Sequence, residues 1–403
     1  MTVEWGNKFS ARVNSLKASA IRELLRLVND PEIISLAGGM PDPTLFPKEI
    51  IADISKEVFL NNASKALQYG ATEGIPTLRE TLLKMTREEG VKEAELENII
   101  VTTASQQGLG LLAEIFINPG DSVIVEAPSY VGGLQAFHAF QANFVTIPLD
   151  DEGIRVDILE EKLKELKENG INTKFIYVIP NFQNPAGVTM SIKRRKKLLE
   201  ISHNFDIPVL EDDPYGDIRF EGEKIPSLLE LDKIGNVIEL RTFSKILAPG
   251  LRLGWIVGDK EVIKKVSLAK QAADLCSPSS TQYIVDKFVR DGHLENYLDL
   301  VRKNYKIKRD AMLGALENYF PAETSWTKPQ GGMFVWAEVP EYIDTDQLFK
   351  EAIKEKVAYV IGSAFYPYGE DKRHMRLNFS LNTPEKIEEG IKRLGNLLKN
   401  KIK

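Results

Sequence analysis

The 403-residue sequence contains a single cysteine, Cys276, which excludes an internal disulfide framework and fits a reducing compartment such as the cytoplasm. Histidine is also scarce. His138, His203, His293 and His374 lie scattered, without HExxH or CxxC spacing, so no metal site is expected. Long apolar runs are missing too: "LGLLAEIFI" falls far short of the roughly 20 residues that span a bilayer. The opening "MTVEWGNKFS" has no basic start followed by an apolar stretch, so it does not read as a secretory signal. Positive charge is not in surplus. A formal net charge of −6 argues against general binding to nucleic acid, whose phosphates would be repelled on average. There is no internal repeat, no low-complexity segment and no excess of proline or glycine.

What is present is ordinary for a globular protein, 43% hydrophobic and 27% charged, with length enough for two or three domains. Between about residues 98 and 260, short β-rich runs alternate with helical stretches. "NIIVTT", "DSVIVEAP", "KFIYVIP", "IPVLEDD", "NVIELRT" and "LGWIVGD" read as strands, and "SQQGLGLLAEIFI" and "SIKRRKKLLEISHNF" as helices. Their apolar, β-branched character suits strands buried on both faces, which predicts an α/β fold with a mostly parallel sheet covered by helices. Near the start, Ile21, Leu24, Leu25 and Val28 follow helical spacing until "NDP" ends the pattern. After residue 300 a long helix and the strands "GGMFVWAEV" and "HMRLNFSL" predict a smaller α+β domain. The expected division is 1–45 as an N-terminal helix and connecting segment packing with the small domain, 46–299 as the large domain, and 300–403 as the small one.

Polar residues gather where the predicted strands end. Ser105 and Gln106 follow the first strand and open a helix; Asn184 lies in "NFQNPAG"; Asp212 and Tyr215 close "IPVLEDDPY"; Lys245 follows "VIELRTFS". Singly, Asp212 before proline and Asn184 before Pro185 read as turn residues, Ser105 as a helix cap, and Lys245 as a surface lysine. Together they favour one site, because ligands of doubly wound sheets bind outside the carboxyl ends of the strands. Phe243, Ile246 and Leu247 give Lys245 an apolar setting that would lower its pKa.

The series "SQQ", Tyr130, "NPAG", "DDPY" and "TFSKILAPGLRLGW" resembles the class I branch of the fold type I pyridoxal-phosphate-dependent aminotransferases, over about Ile33 to Ser380. Within it, "ASAIRELL", "SLAGGMPDPTLFP", "ALQYGATEG", "EAPSYVGGLQAF" and "NFQNPAGVT" are similar to the 2-aminoadipate and kynurenine aminotransferases. The resemblance implies pyridoxal 5'-phosphate as cofactor, with Lys245 as the amine that joins its aldehyde and later moves a proton. It implies Asp212 as partner of the ring nitrogen, Tyr215 and Asn184 as partners of the ring's phenolic oxygen, and Tyr130 as the stacking aromatic. Ser105, Gln106, Thr242, Ser244 and Arg252 would hold the phosphate, joined by Tyr69 from a neighbouring subunit, which implies a homodimer with shared active sites. Arg376 would grip the substrate carboxylate, a task for a planar fork, with Asn184 and the backbone at Gly38 or Gly39 beside it. Arg22 would bind a side-chain carboxylate of dicarboxylic substrates.

Ala104 stands where these relatives commonly have glycine, Ile361 where they often have proline, and Thr242 where serine or glycine is more usual. The implied reaction passes an amino group from an L-amino acid to 2-oxoglutarate by ping-pong chemistry through the pyridoxamine form. 2-Aminoadipate is favoured, as in lysine biosynthesis, with aromatic amino acids or kynurenine next and branched-chain substrates also open. A lyase or decarboxylase on the same scaffold has no distinctive residue in its favour. A reading of another class, a non-catalytic cofactor-binding sensor like the domain inside some transcription regulators, is opposed by the acidic charge and by the lack of room for a winged helix before Ile33.

Overall fold

The computed structural model describes residues 3–14 and 32–402. The predicted helix through Ile21 to Val28, and Arg22 on it, lie outside the described residues.

Fourteen strands are described: β1 Ile34–Ser35, β2 Ile99–Thr102, β3 Ser122–Ala127, β4 Asn143–Asp150, β5 Gly153–Ile154, β6 Thr173–Val178, β7 Val209–Asp212, β8 Val237–Thr242, β9 Gly254–Val257, β10 Ser325–Trp326, β11 Phe334–Glu338, β12 Val357–Ala358, β13 Val360–Ile361 and β14 His374–Asn378. Eight of them form one sheet in the order β2-β9-β8-β7-β6-β3-β4-β5. Neighbours β8, β7, β6, β3 and β4 pair in parallel. The sheet is mixed rather than uniform, because β9 runs antiparallel to both β2 and β8, and β5 antiparallel to β4.

Alternation along each strand explains the two-sided burial. Val123, Val125, Phe175, Tyr177, Leu210 and Leu240 enter one apolar cluster, with Leu109 and Leu112 of the helix Ala104–Phe116. Their chain neighbours Ile124, Ile176, Val178 and Val209, together with Val237, enter a second, with Leu159 and Leu163 of Val156–Glu168 and Leu198 and Ile201 of Ile192–Phe205. Successive side chains of a strand point to opposite faces, so both faces of these strands carry apolar residues. Local chemistry fixes the helix ends as well. The Ser191 hydroxyl accepts from the N–H of Arg194 to start Ile192–Phe205, and Asp206 in the left-handed region, φ +55°, stops it.

The C-terminal part is a four-stranded sheet, β10-β11-β14-β13, with antiparallel pairs throughout. The helices His293–Tyr319 and Pro384–Lys399 pack against each other beside it. In Pro384–Lys399 the apolar stripe Ile387, Ile391, Leu394 and Leu398 is buried, and Thr383 caps the start ahead of proline in the first turn. β1 pairs in parallel with β12, and the Leu36 carbonyl accepts from the Asn378 N–H at 2.8 Å, so the segment after residue 33 is anchored on the C-terminal part. Among the described residues no helix is long and apolar enough to cross a membrane.

Candidate active site

The carboxyl ends of β2, β3, β6, β7 and β8 face a cavity of about 270 Å³. From β2 come Ser105 and Gln106, in the first turn of Ala104–Phe116, so the free N–H groups of a helix start meet one end of the cavity. Gln106 is fixed by its amide, which donates to the Gly132 carbonyl at 2.9 Å and accepts from the Tyr130 hydroxyl at 3.3 Å. Tyr130, after β3, puts its ring on the cavity wall. A Cβ at residue 132 would come within 2.4 Å of that ring, so glycine there makes room for it.

Thr242, Ser244, Lys245 and Arg252 line the same cavity. Thr242 starts the one-turn helix Phe243–Ile246. Its hydroxyl accepts from the Ser244 N–H at 3.1 Å and lies 2.9 Å from the Ser244 hydroxyl oxygen, which aims that serine. The Lys245 amine donates to the Gly39 carbonyl at 2.7 Å. Burial, with help from the cations Arg376 and Arg252, lowers its pKa to about 8.

Asp212 ends β7 and is buried. Its Oδ2 accepts from the Tyr177 hydroxyl at 2.7 Å, while Oδ1 has no hydrogen-bond partner although the residue lines the cavity. Burial raises its pKa to about 7, against the lowering effect of Tyr177 and with a further rise from Asp213. Tyr215 is buried, and its hydroxyl accepts from the Asn184 amide at 3.3 Å. Burial pushes its pKa well up, so the phenol stays protonated.

Arg376, on β14, is 3% exposed and joins the two parts of the chain at the site. It donates to Asn184 Oδ1 at 2.9 Å and to the Ala37 carbonyl at 2.8 Å, and its guanidinium lies over the rings of Phe334 and Phe365, 4.1 and 5.0 Å from their centroids. Burial lowers its pKa to about 10, which leaves it charged at neutral pH. Gly39 sits beside it, since a Cβ there would lie 3.2 Å from the Phe334 ring and 4.0 Å from the guanidinium.

The residues picked from the sequence therefore come together, with two exceptions. Tyr69 is 79% exposed on the surface of this chain and is not part of the cavity wall, and Arg22 lies outside the described residues. Three further residues were not legible. Tyr177 lies inside the apolar strand "FIYVIP" and reads as core. Glu126 and Gln183 are buried beneath the site, where Gln183 donates to Glu126 at 3.0 Å and to the Pro128 carbonyl at 2.7 Å. Burial raises the Glu126 pKa to about 8 despite the donors Gln183 and the Ile179 N–H. The one available signal was a carboxylate, in "VEAP", at a position where a buried strand should be apolar.

The cavity wall thus carries the start of a helix, hydroxyls and Arg252, together with a buried carboxylate, Asp212, one of whose oxygens has no donor. Such an arrangement suits a ligand with an anionic group and a protonated ring nitrogen. Pyridoxal phosphate fits it on that ground, because a buried acceptor left without a donor is costly.

The family model for aminotransferase class I and II matches residues 32–394. Over 402 residues the chain is 49% identical to aromatic-amino-acid aminotransferase 1 of Thermococcus litoralis, covering 100% of this chain and 96% of that protein. It is 40% identical over 400 residues to the 2-aminoadipate transaminase of Thermus thermophilus, covering 98% of each. Among solved structures it is similar to the kynurenine aminotransferase of Pyrococcus horikoshii, solved in complex with PMP, at 49% identity and a TM-score of 0.96 over 99% of both chains.

Proposed function

The chain belongs to the class I and II aminotransferases and transfers amino groups with pyridoxal phosphate, and from that premise we propose that its donors are L-amino acids with aromatic side chains, kynurenine among them, and its acceptor 2-oxoglutarate. The observation that carries the substrate class is the 49% identity, over nearly the whole chain, both to an aromatic-amino-acid enzyme and to a kynurenine enzyme. 2-Aminoadipate is the second reading, supported by the 40% identity to a transaminase of that substrate. A place in lysine biosynthesis goes with that second reading.

Pyridoxal phosphate, when bound, supplies the aldehyde that takes up the substrate amine and the ring that draws electrons from the α-carbon. Ser105, Gln106, Thr242, Ser244 and Arg252 hold its phosphate through N–H groups, hydroxyls and one charge-assisted donor. Tyr130 would lie against the ring, Asp212, whose Oδ1 has no donor, would partner the ring nitrogen, and Tyr215 with Asn184 would partner the phenolic oxygen. Arg376 and the Gly39 backbone orient the substrate carboxylate. Lys245 Nζ, whose lowered pKa leaves part of it neutral near pH 8, would anchor the cofactor and, once the substrate amine has displaced it and freed it as a neutral amine, would take the α-proton as a base.

The working unit we propose is a cytoplasmic homodimer in which Tyr69 reaches the partner's phosphate site. Leu60, Leu67 and Tyr69, 72%, 71% and 79% exposed and within ten residues of one another in sequence, support an interface there, because large apolar groups are costly to leave in water.

The test is the near-ultraviolet and visible spectrum of the loaded protein, titrated with phenylalanine, kynurenine and 2-aminoadipate in turn and without a keto acid. Phenylalanine and kynurenine are expected to convert the cofactor band at lower concentrations than 2-aminoadipate. The reverse order would replace the first reading by the second. A protein that takes up no pyridoxal phosphate would remove both.

A further inference from the structure

Asp212 has one partner among the described residues, and that partner stands on the neighbouring strand. In the β6–β7 register Tyr177 pairs with Leu210, two residues before Asp212, and its hydroxyl donates to Asp212 Oδ2 at 2.7 Å. The tyrosine is fully buried. The Phe137 ring meets it edge-on at 5.2 Å. On another side Gly133 leaves space for the phenol, since a Cβ at 133 would lie 3.0 Å from the Tyr177 hydroxyl and from two of its ring carbons. Packing therefore holds the ring with its hydroxyl on Asp212. Burial and the Asp212 charge also raise the phenol's own pKa well above its usual value, so Tyr177 remains a donor.

We propose that Tyr177 is a positioning residue that weakens the proton affinity of Asp212 through this hydrogen bond and thereby keeps the shared proton on the cofactor's ring nitrogen. The inference rests on the reading of Asp212 as the partner of that nitrogen. A donor to a carboxylate stabilises its charged form. Burial and the neighbouring Asp213 act in the opposite sense on Asp212, and Tyr177 is the residue that opposes them. Without the phenol neither carboxylate oxygen has a side-chain donor among the described residues, so the buried carboxylate would compete for the ring proton and take it. A ring that has lost its proton draws electrons less well, and the α-proton is removed more slowly.

The experiment compares wild type and Tyr177→Phe, each loaded with pyridoxal phosphate carrying 15N in the ring. The ring resonance of Tyr177→Phe is expected to move towards the unprotonated value, with kcat falling about tenfold, which is the effect of one pK unit. KM for the amino acid should change little. A mere packing role would alter stability without moving the 15N resonance. Tyr177→Phe/Asp212→Asn gives a second readout: Tyr177→Phe should add no further loss in the Asp212→Asn background. If Tyr177→Phe does not fold, a fluorinated tyrosine at 177 keeps the shape and strengthens the donor, and should shift the resonance the other way. An unmoved resonance with unchanged kcat in a loaded protein overturns the inference alone. Failure of the wild type to take up the cofactor overturns the reading of the site.

Discussion

Lys245 and Gly39 are 206 residues apart in sequence, yet the lysine amine donates to the glycine carbonyl at 2.7 Å. Two residues before Gly39, the Ala37 carbonyl accepts from Arg376 at 2.8 Å. One short stretch of backbone therefore holds the amine at the end of β8 and the guanidinium on β14 in a common frame. Arg376 and Arg252 lie close enough to disfavour a third positive charge, and this is part of why the lysine amine loses its proton more readily than usual: burial acts first, and the two guanidinium groups add to it.

This arrangement sets a pH dependence for the cofactor-free protein. With its pKa lowered to about 8, Lys245 is protonated below that pH and neutral above it. Only the neutral amine attacks an aldehyde, so the rate of pyridoxal phosphate uptake should rise with pH through about 8 and then level off. In Arg376→Met, where one repelling cation is gone, the midpoint should move upward. A wild-type midpoint near that of free lysine, about 10.4, would mean the amine is not desolvated as described.

Arg376 makes a second test of the site. Its two terminal nitrogens already reach Asn184 and Ala37, and a planar fork has N–H groups left for a carboxylate. Lysine has three N–H donors but all on one nitrogen, and without the planar fork it cannot reach acceptors that two separate guanidinium nitrogens now serve. Arg376→Lys should lower kcat/KM by roughly 30-fold or more, corresponding to about 2 kcal/mol or more for loss from a buried charged hydrogen-bond set. The cofactor band should remain. Steady-state kinetics within twofold of wild type would take Arg376 out of substrate binding.

The same backbone stretch is fastened further on by a buried ion pair. Lys308 donates to Asp42 and to the Ser380 carbonyl, the Tyr305 hydroxyl accepts from the Asp42 N–H at 3.1 Å, and the Ser380 hydroxyl donates to the Met40 carbonyl at 2.8 Å. Lys308→Met would leave the Asp42 charge buried without its counter-ion, at a cost of about 3–5 kcal/mol. Denaturant unfolding should show that loss, and Lys308→Met/Asp42→Asn should regain part of it. Because residues 38–42 carry the Gly39 carbonyl, KM for the amino acid should rise in Lys308→Met. Equal stability of the single and double variants would mean that the pair does not hold the segment.

Much of this site was readable because parallel sheets place their chemistry at strand ends. Ser105, Asn184, Asp212 and Lys245 each follow a recognisable apolar run, and each lines the cavity. What escaped were residues whose role depends on which strand lies beside which. Tyr177 is an ordinary core residue until β6 is placed next to β7, when its hydroxyl meets Asp212. The reversed direction of β9 was equally hidden, since "LGWIVGD" is as apolar as its parallel neighbours and direction is set by the connection rather than by composition. The Lys308–Asp42 pair spans 266 residues, and neither side chain carries a local signal of its partner.

The departure at residue 104 also has a physical consequence. Ala104, where the resembled enzymes commonly have glycine, takes φ +62° at the start of the helix whose first turn faces the cavity. In that region an L-residue's Cβ crowds the following carbonyl, at about 1–2 kcal/mol, whereas glycine has no such penalty. Glycine also frees the unfolded chain, which offsets about 0.4–1 kcal/mol of the gain. Ala104→Gly should therefore stabilise the fold by up to about 1 kcal/mol in denaturant unfolding. The N–H groups of Ser105 and Gln106 follow directly on this residue, so the dissociation constant for pyridoxal phosphate tests whether the strain serves the cofactor. Tighter or equal binding in Ala104→Gly would mean the alanine is a tolerated cost. Weaker binding together with higher stability would mean that the alanine holds the helix start in the form the phosphate requires.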